Sequence, residues 1–157
     1  MKQLFLCSYF AGVKDLFRQY ATEKQLGNQV LFIPTAGNVE EYRGYIDEAL
    51  QTFEDLGFQV EVLDISACDR ETAQAKIFQS KLLYISGGNT FYLLQELKRI
   101  LKPDGTILLA CEWSKLAYYL PDFTKQEKLE SFLTALDLHL LNSQRNGQWI
   151  LYQIVKN

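Results

Sequence analysis

The chain has 157 residues, a net charge of −3, 48% hydrophobic residues and 22% charged ones. That length predicts a single domain which buries roughly 68–70% of the surface its unfolded chain exposes, and the composition is that of a soluble globular protein. With an acidic balance and no dense Lys/Arg block, nucleic acid and anionic membrane are excluded as expected partners.

The opening MKQLFLCSYF carries one lysine and a short apolar run broken by polar residues. It reads as a first strand over residues 3–8 and not as a signal peptide. No apolar run approaches the roughly 18 residues a membrane span needs. Cys7, Cys68 and Cys111 are too widely spaced for a disulfide framework or a metal knuckle, and there is one histidine in the chain. The expectation is three reduced thiols in a cytosolic protein, with no metal and no cofactor.

Apolar runs and helical patterns then alternate. Residues 12–25 place Val13, Leu16, Phe17 and Tyr20 on one helical face. QVLFIPT (29–35) is a β-like run limited by its proline. Residues 39–56 repeat Val39, Tyr42, Ile46, Ala49, Leu50 and Phe53 at helical spacing, with Gly57 where a left-handed cap belongs. FQVEVLDI (58–65) alternates as a strand, and Asp69 is suited to cap a helix running to about Gln79. A strand at 82–86 leads into a helix at 90–101. PDGT (103–106) is a turn signal before the strand TILLAC (106–111). Thr124 and Glu127 stand in capping-box spacing before a helix that ends near Leu136. LHLLNSQ and QWILYQIV flank an Asn-Gly turn and predict a closing antiparallel hairpin. The whole reads as an α/β protein: a three-layer αβα sandwich on a mainly parallel sheet of five strands, with the hairpin as an antiparallel addition.

The corner Ser86-Gly87-Gly88-Asn89-Thr90 falls where the fourth strand of that reading passes into a helix. Ligands of open parallel sheets gather beyond the carboxyl ends of the strands. Two glycines allow positive φ and close approach of the backbone. Asn89 or Thr90 can cap the helix, whose end offers N–H donors and partial positive charge. Such a corner suits an oxyanion, carboxylate or phosphate.

VLFIPTAGNVEEYRGYIDEALQTFEDLGFQVEVLDIS followed by SGGNTFYLLQELK resembles the peptidase E family of serine peptidases, which includes aspartyl dipeptidases and is related to cyanophycinase. The resemblance covers residues 1–99, and 100–157 diverge. It implies a class I glutamine amidotransferase-like (flavodoxin-like) fold and peptide hydrolysis. It also implies an oxyanion site at Gly87 and Gly88, shaped by Asn89 and Thr90. Loss of one such donor costs about 2.7–4 kcal/mol of transition-state stabilisation.

That family next carries a G-x-S-A-G nucleophile elbow, whereas this chain reads Cys111-Glu112-Trp113-Ser114-Lys115-Leu116. Ser114 is the hydroxyl at the matching place and Lys115 the second oxyanion amide, but both flanking glycines are missing. Forcing another residue into such a turn costs on the order of 1–3 kcal/mol. His139 is the one histidine available as base, and Asp122 and Asp137 are the acids available to orient it. Cys111, at the strand end, reads as a core thiol; Glu112 opposes its ionisation.

Two other readings stay open. LKRILKPDGTILLA with the closing hairpin resembles S-adenosylmethionine-dependent methyltransferases, for which Asp64 stands where a ribose is held. A degenerate, inactive family member, or a non-catalytic module binding a small anion, is the other, with Tyr42, Tyr45, Phe91, Tyr92, Tyr118 and Tyr119 lining a groove. The expected partner is a small peptide or an anionic small molecule; a homodimer is left open.

Overall fold

The computed structural model describes residues 5, 7, 9–102 and 105–156; most of the first strand expected at 3–8, and Pro103 and Asp104 of the PDGT turn, lie outside them. Length alone predicts one domain; the chain divides into two compact units, Met1–Glu96 and Leu97–Asn157.

In the first unit, helix α1 (Lys14–Glu23) leads to strand β1 (Gln29–Ile33), α2 (Gly44–Asp55), β2 (Gln59–Val62), α3 (Arg70–Gln79) and β3 (Leu83–Ile85); α4 (Thr90–Ile100) begins in this unit and ends in the next. The three strands form a parallel sheet in the order β2-β1-β3. β1 is central because it can be: Val30, Leu31, Phe32 and Ile33 are all buried, so it is apolar on both faces, as the inner strand of a parallel sheet requires. Pro34 follows at once and β1 ends there.

One face of this sheet carries an aromatic cluster. Phe10 stacks on Phe53 at 4.4 Å and Phe32 on Tyr84 at 4.9 Å, while Phe17 meets Phe53 edge-on at 5.6 Å. Ala49 and Ile46, one and two helical turns before Phe53, complete the buried face of α2. Burial pushes the Tyr84 phenol well above its ordinary range, with the nearby Cys7 adding to the shift. Two sequence signals appear as expected. Gly57 takes φ +81° after α2, and Asp69 caps α3 by accepting from the Thr72 amide at 2.7 Å.

In the second unit, β4 (Thr106–Glu112), α5 (Trp113–Tyr119), α6 (Gln126–Ala135), β5 (Leu138–Asn146) and β6 (Trp149–Lys156) form an antiparallel sheet ordered β4-β6-β5. Here the topology departs from expectation. β4 does not extend the parallel sheet; it pairs antiparallel with β6 over Thr106–Glu112. The hairpin provides the reason. Its tight turn puts Gly147 at φ +58°, and β6 is a long strand that buries Ile150, Tyr152 and Ile154 on one face. Strand β4 places Ile107 opposite Ile154 and Cys111 opposite Ile150, so pairing extends that buried face. Leu129, Leu133 and Leu138 are buried in the same unit. The capping box at Thr124 and Glu127 does not form: α6 starts at Gln126, and the Thr124 hydroxyl donates to the Pro121 carbonyl instead.

Candidate functional site

The carboxyl ends of β1, β2 and β3 lie on one rim because the strands are parallel. The segments leaving it are 34–38, 63–69 and 86–89. The glycine corner is therefore on the rim where ligands of such sheets gather.

Gly88 adopts φ +136°, a conformation that side chains rarely take. A Cβ at this position would strike the Ala36 carbonyl and stand 2.7 Å from the Gly37 nitrogen. The glycine is required twice over, by its torsion and by the turn beneath it. Gly87, in contrast, faces open space: nothing lies within 4 Å of a Cβ built there. The Asn89 amide donates to the Ala36 carbonyl at 2.8 Å, clamping the corner onto the 35–37 turn.

Asn89, not Thr90, is the cap of α4. Its Oδ1 accepts from the amides of Phe91 (3.1 Å) and Tyr92 (3.0 Å). That narrows the expectation of an open helix end, since two of its donors are taken by the chain itself. The exposed corner remains, with the backbone of Gly87 and Gly88 at the surface while Ser86 below is buried and donates to the Gly87 carbonyl at 3.2 Å.

Beside the corner lies a polar cluster that the sequence reading missed. Asp64 Oδ1 accepts from Thr35 Oγ1 (2.9 Å), from the Ser66 amide (3.0 Å) and from Ser66 Oγ (2.7 Å). Asp64 Oδ2 accepts from Asn38 Nδ2 at 2.7 Å. Burial pushes this carboxyl up, but the hydrogen bonds from Ser66, Asn38 and Thr35 outweigh it and hold it below the usual value. Thr35, fully buried, also accepts from the Ile65 amide at 3.0 Å. Both carboxylate oxygens of Asp64 thus accept from the protein's own groups, and the role suggested for it toward a ribose has no support in this geometry. The signal was present: short polar residues end two adjacent parallel strands, in FIPTAGN and VLDIS.

Ser114, Lys115 and His139 are in the second unit. Ser114 sits in the first turn of α5, not on a strained corner; the non-glycine residues with positive φ among the described residues are Gln25 and Asp137. Its hydroxyl donates to Glu112 Oε1 at 2.6 Å, and Lys115 Nζ pairs with the same carboxylate at 3.3 Å. The hydrogen bond from Ser114, then the Lys115 cation, hold Glu112 below the usual carboxylate range.

The sheet register keeps Ser114 and His139 apart. His139 and Thr106 both lie opposite Val155, whereas Glu112 lies opposite Trp149. Six residue steps along a strand separate those rows, about 20 Å at ~3.4 Å per residue. The two side chains do not form a dyad in this arrangement. Asp122 pairs with Lys125 (3.6 Å) and Asp137 with Lys98 (3.7 Å). Burial raises the Cys111 thiol, which fits a core residue and not a nucleophile.

Residues 6–111 match the sequence pattern of peptidase family S51. The chain belongs to that family. The match includes the glycine corner and stops before Ser114. Over 99 residues the chain is 44% identical to the uncharacterized peptidase PM1590 of Pasteurella multocida, covering 63% of this chain and 47% of that protein. An uncharacterized peptidase of Listeria monocytogenes is likewise 44% identical over 99 residues, covering 63% and 48%. Among solved structures, a Listeria monocytogenes protein described as a candidate peptidase E superposes with a TM-score of 0.59 at 44% identity, covering 64% of this chain and 49% of that one. The S51 chain thus spans about half the length of the relatives it matches. An O-methyltransferase from neocarzinostatin biosynthesis superposes at a TM-score of only 0.40 and 11% identity, which carries no argument for that chemistry. No helix among the described residues is long and apolar enough to cross a membrane.

Proposed function

We propose that this S51 chain binds a short peptide or similar small carboxylate at the Gly87–Gly88 corner and does not build a serine-type catalytic set from Ser114 and His139. The observation that carries the reading is Gly88. Its backbone rests on the 35–37 turn so closely that no side chain fits, which presents the corner at the carboxyl rim. Backbone amides held rigidly at such a place attract a carboxylate or a polarised carbonyl oxygen. A serine mechanism with a histidine base needs the two within hydrogen-bond reach, and the register of β4, β6 and β5 does not support that pairing of Ser114 with His139.

Calorimetric titration with L-aspartyl-L-leucine is the test. Binding with one site per chain, weakened by added inorganic phosphate, is the expected result. The same mixture, left overnight and separated by mass, should contain no free aspartate. Release of aspartate that disappears in Ser114→Ala overturns the non-catalytic half of the reading; absence of any binding overturns the rest.

A further inference from the structure

Asp64 is half-buried and accepts four hydrogen bonds, from Thr35, Asn38 and Ser66 and not from the glycine corner itself. What it does hold is the turn on which the corner rests. Thr35 and Asn38, at the two ends of that turn, are both tied to its carboxylate, one through each oxygen. Asn38 Nδ2 reaches Ser66 Oγ as well, at 3.1 Å, so the turn is fastened to the end of β2 at three points. Between the fastened ends lies Ala36, whose carbonyl accepts the Asn89 amide and blocks the space beside Gly88. Two short steps therefore connect the carboxylate to the corner: side chain to turn, then turn carbonyl to corner amide.

We infer that Asp64 is a positioning residue for the glycine corner, fixing the Thr35–Asn38 turn so that Ala36 and Gly37 hold Gly88 and Asn89 in place. This inference rests on the corner being a binding site, as proposed above. The chemistry favours a carboxylate for the task. The three hydroxyl and amide groups that converge on Oδ1, and the amide on Oδ2, are all donors, so a group that only accepts satisfies them together. An asparagine at this position keeps one accepting oxygen but turns an NH₂ group toward Asn38 Nδ2, donor against donor, and loosens the turn without changing side-chain shape.

The test uses the full ¹⁵N-labelled chain, with amide resonances of Gly87, Gly88 and Asn89 as the readout. Asp64→Asn should displace those three resonances and weaken L-aspartyl-L-leucine binding about tenfold, the size of one to two lost hydrogen bonds. The reversed pair, Asp64→Asn with Asn38→Asp, restores donor facing acceptor and should return both resonances and affinity toward wild type. A purely structural Asp64 would lower the melting temperature and move the amides of residues 64–66 while leaving Gly87 and Gly88 in place, and that outcome overturns the inference. Should Asp64→Asn not fold, Asn38→Ala removes the Oδ2 partner and its contact with Ser66 while leaving the donors on Oδ1, and must still move the Gly88 resonance, or the inference fails. If the wild-type chain binds no dipeptide, the functional reading is lost, yet the free-state resonances still decide whether Asp64 positions the corner.

Discussion

Each unit contains a place where a strand runs into a helix, and the two corners are built differently. At Ile85–Thr90 the backbone takes a torsion open to glycine, a side-chain cap closes the helix, and a neighbouring turn supports the bend from below. At Glu112–Lys115 the chain passes from extended backbone into ordinary helix, and the serine hydroxyl is tied to the glutamate two residues before it. A corner that presents backbone needs glycine and a rigid bed. A corner that presents a nucleophile needs strain and a base free to take its proton; Glu112–Lys115 carries no strained torsion, and the carboxylate that Ser114 meets is already paired with Lys115.

The largest effect expected is in the core beneath the first corner. Phe53→Ala removes a fully buried ring that touches Phe10, Phe17, Phe32, Phe58 and Tyr84. The cost should be about 4 kcal/mol, read by urea unfolding. Gly88→Ala follows, at about 2–4 kcal/mol from a forbidden torsion and a backbone clash. Gly87→Ala, one residue away, should stay within about 0.5 kcal/mol because its Cβ meets nothing. Equal losses at the two glycines would break the account of the corner.

Smaller differences separate the two helix starts. Asn89→Ala should cost about 1 kcal/mol as a lost cap, whereas Ser114→Ala should leave the thermal midpoint unchanged. A fluorophosphonate probe should leave Ser114 unlabelled, and labelling detected by mass spectrometry would show an activated hydroxyl that the helical geometry does not provide.

The pH dependence of stability sharpens the same contrast. The Asp64 carboxyl lies below its ordinary value of 3.8 in the folded chain. Its hydrogen bonds to Thr35, Asn38 and Ser66 therefore add stability that is present above that value and is lost as pH falls through the lowered one. Urea midpoints taken downward from neutral pH should decline more gently at the acid end in Asp64→Asn than in wild type.

Much of the first unit is legible in the amino-acid sequence. The apolar run at β1, the 3–4 spacing of Ile46, Ala49 and Phe53, the cap at Asp69 and the glycine at 57 are local signals, and local physics settled them. The glycine corner was legible for the same reason. What sequence could not give was pairing at a distance. TILLAC looks the same whether it joins a parallel sheet or zips onto WILYQIV, and the hairpin's long apolar edge decided in favour of the second. The separation of Ser114 from His139 follows from that pairing, so it could not have been read earlier. The Asp64 cluster was hidden in a different way: its members are 29 and 26 residues apart in the chain and meet because β1 and β2 are neighbours.

One titration bears on the central claim most directly. Wild-type ¹⁵N-labelled protein is followed amide by amide as L-aspartyl-L-leucine is added. The account predicts saturable displacement of the Gly87 and Gly88 resonances, with those of Ser114 and His139 unmoved. Displacement confined to residues 112–139, or none at Gly87 and Gly88 when the ligand is in excess, would contradict it.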